Sequence, residues 1–303
     1  MQSLPLVVSL AAALAVVPAA IRSLAAQGLV RENYRGAAVP FPAGVAIVAA
    51  VFAALLPLAI LQRLTDGDVL STAGAFGGGA TTQATVDVFD VVPYVLGVTL
   101  LGLVDDLIGS GRAGAREAAE APGAPRGWRG HSKAVLAGGF STGALKAVGA
   151  LGLAFFVLVD HGLGTGEYLL AAAVLVLATN LFNLLDLRPG RSLKALVLLG
   201  AALTAGAMDL DPLWTLGLFL GPMLVLLPLD LREQGMLGDT GSNAVGAVAG
   251  LWLVLALPPS GQIVALVVIA GLTVYGEFRS ISKLIDRTPG LRHLDSLGRV
   301  QHA

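Results

Sequence analysis

Residues 86–106 read VDVFDVVPYVLGVTLLGLVDD, an apolar run that closes on two adjacent acids, Asp105 and Asp106. The part from Val86 to Val104 has the length a helix needs to cross a hydrocarbon core, about 17–25 residues. In lipid every backbone polar group has to be satisfied within the segment, and the alternation of a barrel strand is missing, so the run reads as a helix. Eight further stretches read the same way: Leu4 to Ile21, Val39 to Leu61, Ala144 to Val159, Tyr168 to Leu185, Ser192 to Met208, Leu213 to Leu229, Ser242 to Leu257 and Gln262 to Phe278. The expected fold is all-α: one polytopic transmembrane bundle of about nine spans that takes up residues 1–303.

Composition agrees. The chain is 55% hydrophobic and 13% charged, where soluble domains carry about a quarter charged residues. With no cysteine it has no disulfide, thiol nucleophile or cysteine metal site. A net charge of −1 without a long basic run excludes nucleic acid as a partner.

The first span could be mistaken for a secretory signal because Ala25 and Ala26 offer small residues at a cleavage site, but its arginines, Arg22, Arg31 and Arg35, follow it rather than precede it. By the positive-inside rule they place the N-terminus outside. Nine spans then fix the side of every loop. Of the 19 Lys and Arg residues only Arg63 falls outside, while the outer loops carry acids such as Asp87, Asp160, Glu167, Asp209 and Asp211. The C-terminus is therefore expected in the cytoplasm, with a cytoplasmic loop at 110–131 and a cytoplasmic tail at 279–303. A Gly/Thr-rich outer stretch around Ala73 to Thr85 carries no evident chemistry.

Three polar groups interrupt this pattern at inner helix ends. Asp105 and Asp106 stand side by side, which is costly near a bilayer unless water or a divalent cation relieves them. They either cap a helix in headgroup water or hold such an ion. Asn180, Asn183 and Asp186 recur every third residue, so a helix places them on one face; they serve as interhelical glue or as a binding face. Gly238-Asp239-Thr240-Gly241-Ser242 opens a helix, where free N–H groups and the dipole suit a phosphate and Asp239 can give an oxygen to magnesium. Such a run is also an ordinary helix start. Lys133 and Arg188 are nearby cations able to meet a pyrophosphate, or simple positive-inside anchors. That all three groups face one compartment favours a single site.

In order, these motifs resemble those of the polyprenyl-phosphate N-acetylhexosamine-1-phosphate transferases. Gly102-Leu103-Val104-Asp105-Asp106 is similar to the family's G-x-x-D-D, Asn180 to Asp186 to its N-x-x-N-x-x-D, and Gly238 to Ser242 to its G-D-T/V-G-S. Lys133 resembles the lysine the family carries after its paired aspartates. The resemblance covers roughly residues 30–280. It implies a magnesium-dependent enzyme of the plasma membrane with a cytoplasmic site. A polyprenyl phosphate attacks the β-phosphate of a UDP-N-acetylhexosamine and UMP leaves, a step of cell-wall or surface-polysaccharide synthesis. Asp105 and Asp239 would contact the metal, Asp106 would orient or deprotonate the acceptor, and Lys133 would act with them. Asn180, Asn183, Asp186, Arg188, Gly238, Thr240, Gly241, Ser242 and His293 would bind substrate. A homodimer is compatible with this scheme.

The sequence departs from the family where Asp186-Leu187-Arg188-Pro189-Gly190 stands in place of D-G-x-D-G, and where His293 alone stands in place of a histidine cluster. Two other readings follow: a relative that binds nucleotide or lipid without turnover, and a secondary transporter, whose acids belong nearer the bilayer midplane.

Overall fold

A computed structural model describes residues 2–65, 86–110, 142–159 and 161–300 of the chain. The outer stretch expected around 73–85, the inner loop beyond residue 110 and Lys133 lie outside the described residues.

In chain order the elements are α1 (Leu4–Ala26), the strands β1 (Val30–Glu32) and β2 (Ala38–Pro40), α2 (Val45–Leu64), α3 (Val88–Ser110), α4 (Thr142–Leu158) and α5 (Thr165–Leu185). They continue as α6 (Arg191–Ala207), the short α7 (Asp211–Thr215), α8 (Gly217–Leu231), α9 (Gly238–Ala256), α10 (Pro259–Phe278), α11 (Ile281–Arg287) and α12 (Pro289–Ser296). Each expected apolar stretch coincides with one of α1–α6 or α8–α10. The fold is an all-α membrane bundle in which five helices, α1, α2, α3, α5 and α10, are long and apolar enough to cross a bilayer. Helices α4 and α8 are apolar but shorter.

The second stretch starts later than its hydropathy suggests. Residues Val39 and Pro40 pair in an antiparallel hairpin, Val39 opposite Arg31, and Pro42 and Gly44 precede the helix. Proline removes the N–H a helix would use, so the apolar run divides into a strand, a turn and α2.

Helix α9 is the axis of the bundle, with every residue from Thr240 to Leu255 buried. Lipid tails are as apolar as leucine, so close packing and hydrogen bonds rather than water exclusion hold such helices together. Glycine makes that approach possible. A Cβ on Gly246 would stand 2.6 Å from the Thr179 Cα of α5, one on Gly102 of α3 2.3 Å from the Asp239 carbonyl oxygen, and one on Gly44 2.2 Å from the Gly241 nitrogen. Outside this core, Leu14, Leu56, Val148 and Val267 are between 64% and 73% exposed. An apolar exterior of that extent belongs against acyl chains.

Candidate functional site

The close contact at Gly102 brings the last turns of α3 beside the first turn of α9. This is the structural use of the glycine that opens the first motif. Gly238, in the left-handed region at φ 70°, turns the chain into α9; a Cβ there would meet Asp106 Oδ2 at 2.8 Å and the Phe41 ring at 2.7 Å.

Asp106 is 4% exposed and spends its carboxylate on the start of α9. Its Oδ1 accepts from the Asp239 N–H at 3.0 Å, and its Oδ2 accepts from the Thr240 N–H at 2.8 Å and the Thr240 hydroxyl at 2.6 Å. The helix N-terminus thus takes an anion, as its dipole favours, but the anion is the chain's own side chain. Asp106 fixes where Asp239 points.

Asp105 and Asp239 then meet over one cation. The Lys146 ammonium, on the first turns of α4, lies 3.0 Å from Asp105 Oδ2 and 2.7 Å from Asp239 Oδ2. Asn183, near the end of α5, completes the cluster. In the amide orientation its neighbours require, its nitrogen donates to Asp239 Oδ1 and to Ser242 Oγ, both at 3.1 Å, and its oxygen accepts from Lys146 Nζ at 3.1 Å. The cluster is half-covered: the Lys146, Asp105 and Asp239 side chains are 18%, 23% and 32% exposed. Four helices contribute to it, α3 and α5 by their C-terminal turns, α4 and α9 by their first.

Asp186 follows the last residue of α5 and lines a small crevice. This crevice of ≈ 50 Å³ is lined by Asp186, Arg188, Tyr34, Asp230 and Glu233, among others. Although its surface is not fully covered, the loss of water around Asp186 holds its carboxyl well above the usual range, and the nearby Asp230, Asp239 and Asp106 charges add to this. The Arg188 guanidinium lies 4.3 Å above the centre of the Tyr34 ring, a cation–π distance. Glu233 ties the hairpin down, accepting from Asn33 at 2.8 Å and Arg35 at 2.6 Å.

Of the residues expected from sequence, Asp105, Asp106, Asn183, Asp239, Thr240 and Ser242 are joined by the hydrogen bonds above, with Gly238 and Gly241 shaping the turn between them. Asp186 and Arg188 stand beside them in the crevice. Among the described residues the buried Asn180 amide nitrogen finds no hydrogen-bond partner. His293 is exposed on α12, a helix anchored to the start of α6 through Asp295. Lys146 is the residue sequence reasoning missed, having counted it only as an inner-end cation. The signal was its position: a charge a full turn inside an apolar helix is costly, and so points to a site.

The donor set fits magnesium. Two carboxylate oxygens and the Asn183 amide oxygen converge on a point already suited to a cation. Magnesium takes one or two carboxylates and leaves its other positions to water and phosphate oxygens. Among the described residues no three acidic or histidine side chains gather into a fuller cage, so the two-carboxylate form is the one these residues permit.

Comparison of the chain with protein-family models gives no match, and comparison with curated protein sequences gives no significant match.

Proposed function

We propose that the chain is a membrane transferase that moves a sugar 1-phosphate, an N-acetylhexosamine 1-phosphate by resemblance, from a UDP-sugar to a polyprenyl phosphate. In this reading it crosses the plasma membrane nine times, with its N-terminus outside, its site at the cytoplasmic face and its product feeding cell-wall or surface-polysaccharide synthesis. The observation that carries the reading is the meeting of Asp105, Asp239 and Asn183, from three motifs on three helices, at the Lys146 ammonium.

The reaction asks little of a base. A phosphate monoester has its second pKa near ~6, so the acceptor is already largely ionised, and catalysis is mainly positioning and neutralisation of charge. An oxygen of the lipid phosphate forms a bond to the β-phosphorus. The bond from that phosphorus to the bridging oxygen breaks, and its electron pair leaves with UMP. Magnesium, held by Asp105 and Asp239, would supply neutralisation of the diphosphate. Lys146 donates hydrogen bonds to the same phosphate oxygens, a role for which a flexible point charge is suited. Asp106 takes no proton in this scheme; it keeps Asp239 in place. Asn180, Asp186, Arg188 and, from the tail, His293 are the residues available to the nucleotide and sugar.

The test is release of UMP by purified protein given magnesium, undecaprenyl phosphate and a panel of UDP-N-acetylsugars. Turnover of at least one sugar, abolished by Asp239→Asn, is expected. Because Lys146 already neutralises part of the acidic cluster, a second reading is a relative that binds nucleotide without turnover; nucleotide binding with no UMP released from any sugar would select it.

A further inference from the structure

The turn that carries Asp186 and Arg188 is gripped by the far C-terminus. It runs from the end of α5 to Gly190, which adopts φ 69° and starts α6. From one side, Asp230 Oδ2 accepts the Gly190 N–H at 2.8 Å. From the other side comes residue 299: the Arg299 Nε donates to the Pro189 carbonyl at 2.8 Å. Arg299 also forks onto Asp295, at 2.9 and 2.7 Å, while Arg191 forks onto the same carboxylate at 2.8 and 3.0 Å. Asp295 therefore lies between two guanidiniums and is bidentate to both. The Asp295 and Arg191 side chains are 9% and 5% exposed.

Further bonds close the clasp. The third Arg191 nitrogen, Nη1, donates to Ser282 Oγ at 2.9 Å, and Lys194 Nζ donates to the Leu294 and Leu297 carbonyls at 2.9 and 3.2 Å. Apolar packing contributes little here, since α12 contains no buried residue. Forked ion pairs fix direction as well as distance. Their targets are the backbone of Pro189 and the side chains that begin α6, and not the faces of the spans.

We infer that Asp295 and Arg299 are positioning residues: the C-terminal segment is a clasp that sets the turn bearing Asp186 and Arg188, and so the nucleotide side of the site. The consequence for turnover rests on the transferase reading; the mechanical part does not. The experiment therefore has two arms on full-length protein. In the first, hydrogen–deuterium exchange of backbone amides 186–194 is compared between wild type and Asp295→Asn. Losing hydrogen bonds to charged groups is expected to speed exchange there about tenfold or more, with α9 amides unchanged. In the second, Asp295→Asn raises KM for the UDP-sugar about tenfold while kcat stays within about twofold, the pattern of lost ground-state positioning, and Arg299→Lys falls between the two.

Unchanged exchange at 186–194 would overturn the clasp, and so would a rise spread equally through α9, which marks general loosening. If no wild-type UMP release occurs with any sugar, the transferase reading falls and the exchange arm alone decides. Should Asp295→Asn not fold, Arg299→Lys, which keeps a cation and loses the fork, is judged by the same two outcomes.

Discussion

Lys146→Met keeps a long apolar stem at the first turns of α4 and removes only the ammonium. Two carboxylates then face each other without a cation, and Asn183 loses a donor. Removing one partner of a buried ion pair costs about 3–5 kcal/mol. Here Asp105 and Asp239 retain 23% and 32% exposure, so water returns part of that, leaving about 2 kcal/mol. At about 2–4 °C per kcal/mol for a large domain, Tm in detergent should fall by about 4–8 °C. Magnesium should return much of the loss, because it takes the place the ammonium held. At ten times its Kd a ligand adds about 1.4 kcal/mol, whereas in the wild type it competes with Lys146 for the same oxygens. Tryptophan-fluorescence melts of both proteins, with magnesium and in chelator, read this directly. A variant that melts with the wild type, or an equal magnesium shift in both, refutes the idea that Asp105, Asp239 and Lys146 form one cation site.

Gly102→Ala puts a methyl group 2.3 Å from the Asp239 carbonyl oxygen and 2.8 Å from Asn243 Nδ2; it should cost about 1–3 kcal/mol and depress UMP release, whereas Gly152→Ala, whose Cβ meets no atom of the described residues within 4 Å, should leave both intact. Asp186→Asn should raise Tm while weakening nucleotide binding, both measurable on one preparation. The sign follows from a carboxyl held above its usual pKa: the folded state binds that proton more tightly, so stability rises as pH falls through the folded value, and the asparagine variant loses this acid-side gain. Asp295 behaves in the opposite way. Burial pushes its carboxyl up, but the Arg191 and Arg299 guanidiniums outweigh this and hold it below the usual range. Its contribution is complete above the unfolded value near ~3.9 and fades as pH falls through the folded one, so limited proteolysis of the tail should begin only in that acid window.

The all-α bundle was legible in the sequence because hydropathy and length report directly on whether a helix suits lipid, as they do for the five helices long and apolar enough to cross a bilayer. The stretches that form short α4 and Gly-rich α9 were the least obvious, α9 because a central helix packed on all sides needs small residues where a lipid-facing one carries leucine. The first and third motifs were legible as acids at helix ends. What the sequence could not tell is which acid does what. Asp105 and Asp106 are neighbours in the chain, yet 100° apart on a helix one faces Lys146 and the other the N–H groups of α9. Lys146, Asp230 and the Arg191 side of Asp295 were hidden for a related reason: each matters through a partner at least 40 residues away in sequence, and no local pattern marks such a partner.

The arrangement amounts to a partition of negative charge. Asp106 is satisfied by three donors of one helix start. Asp105 and Asp239 share one ammonium, which leaves a net negative point in reach of a cation. Asp186 is left in the poorest position, with burial and the Asp230 charge acting against its ionised form and Arg191 acting for it. Carboxyls disfavoured in this way gather at sites that bind ligands. A ligand presenting N–H or O–H groups to Asp186 and phosphates to Lys146 would relieve both ends at once. A sugar nucleotide is such a ligand, with donors on its base and sugars and anions between them.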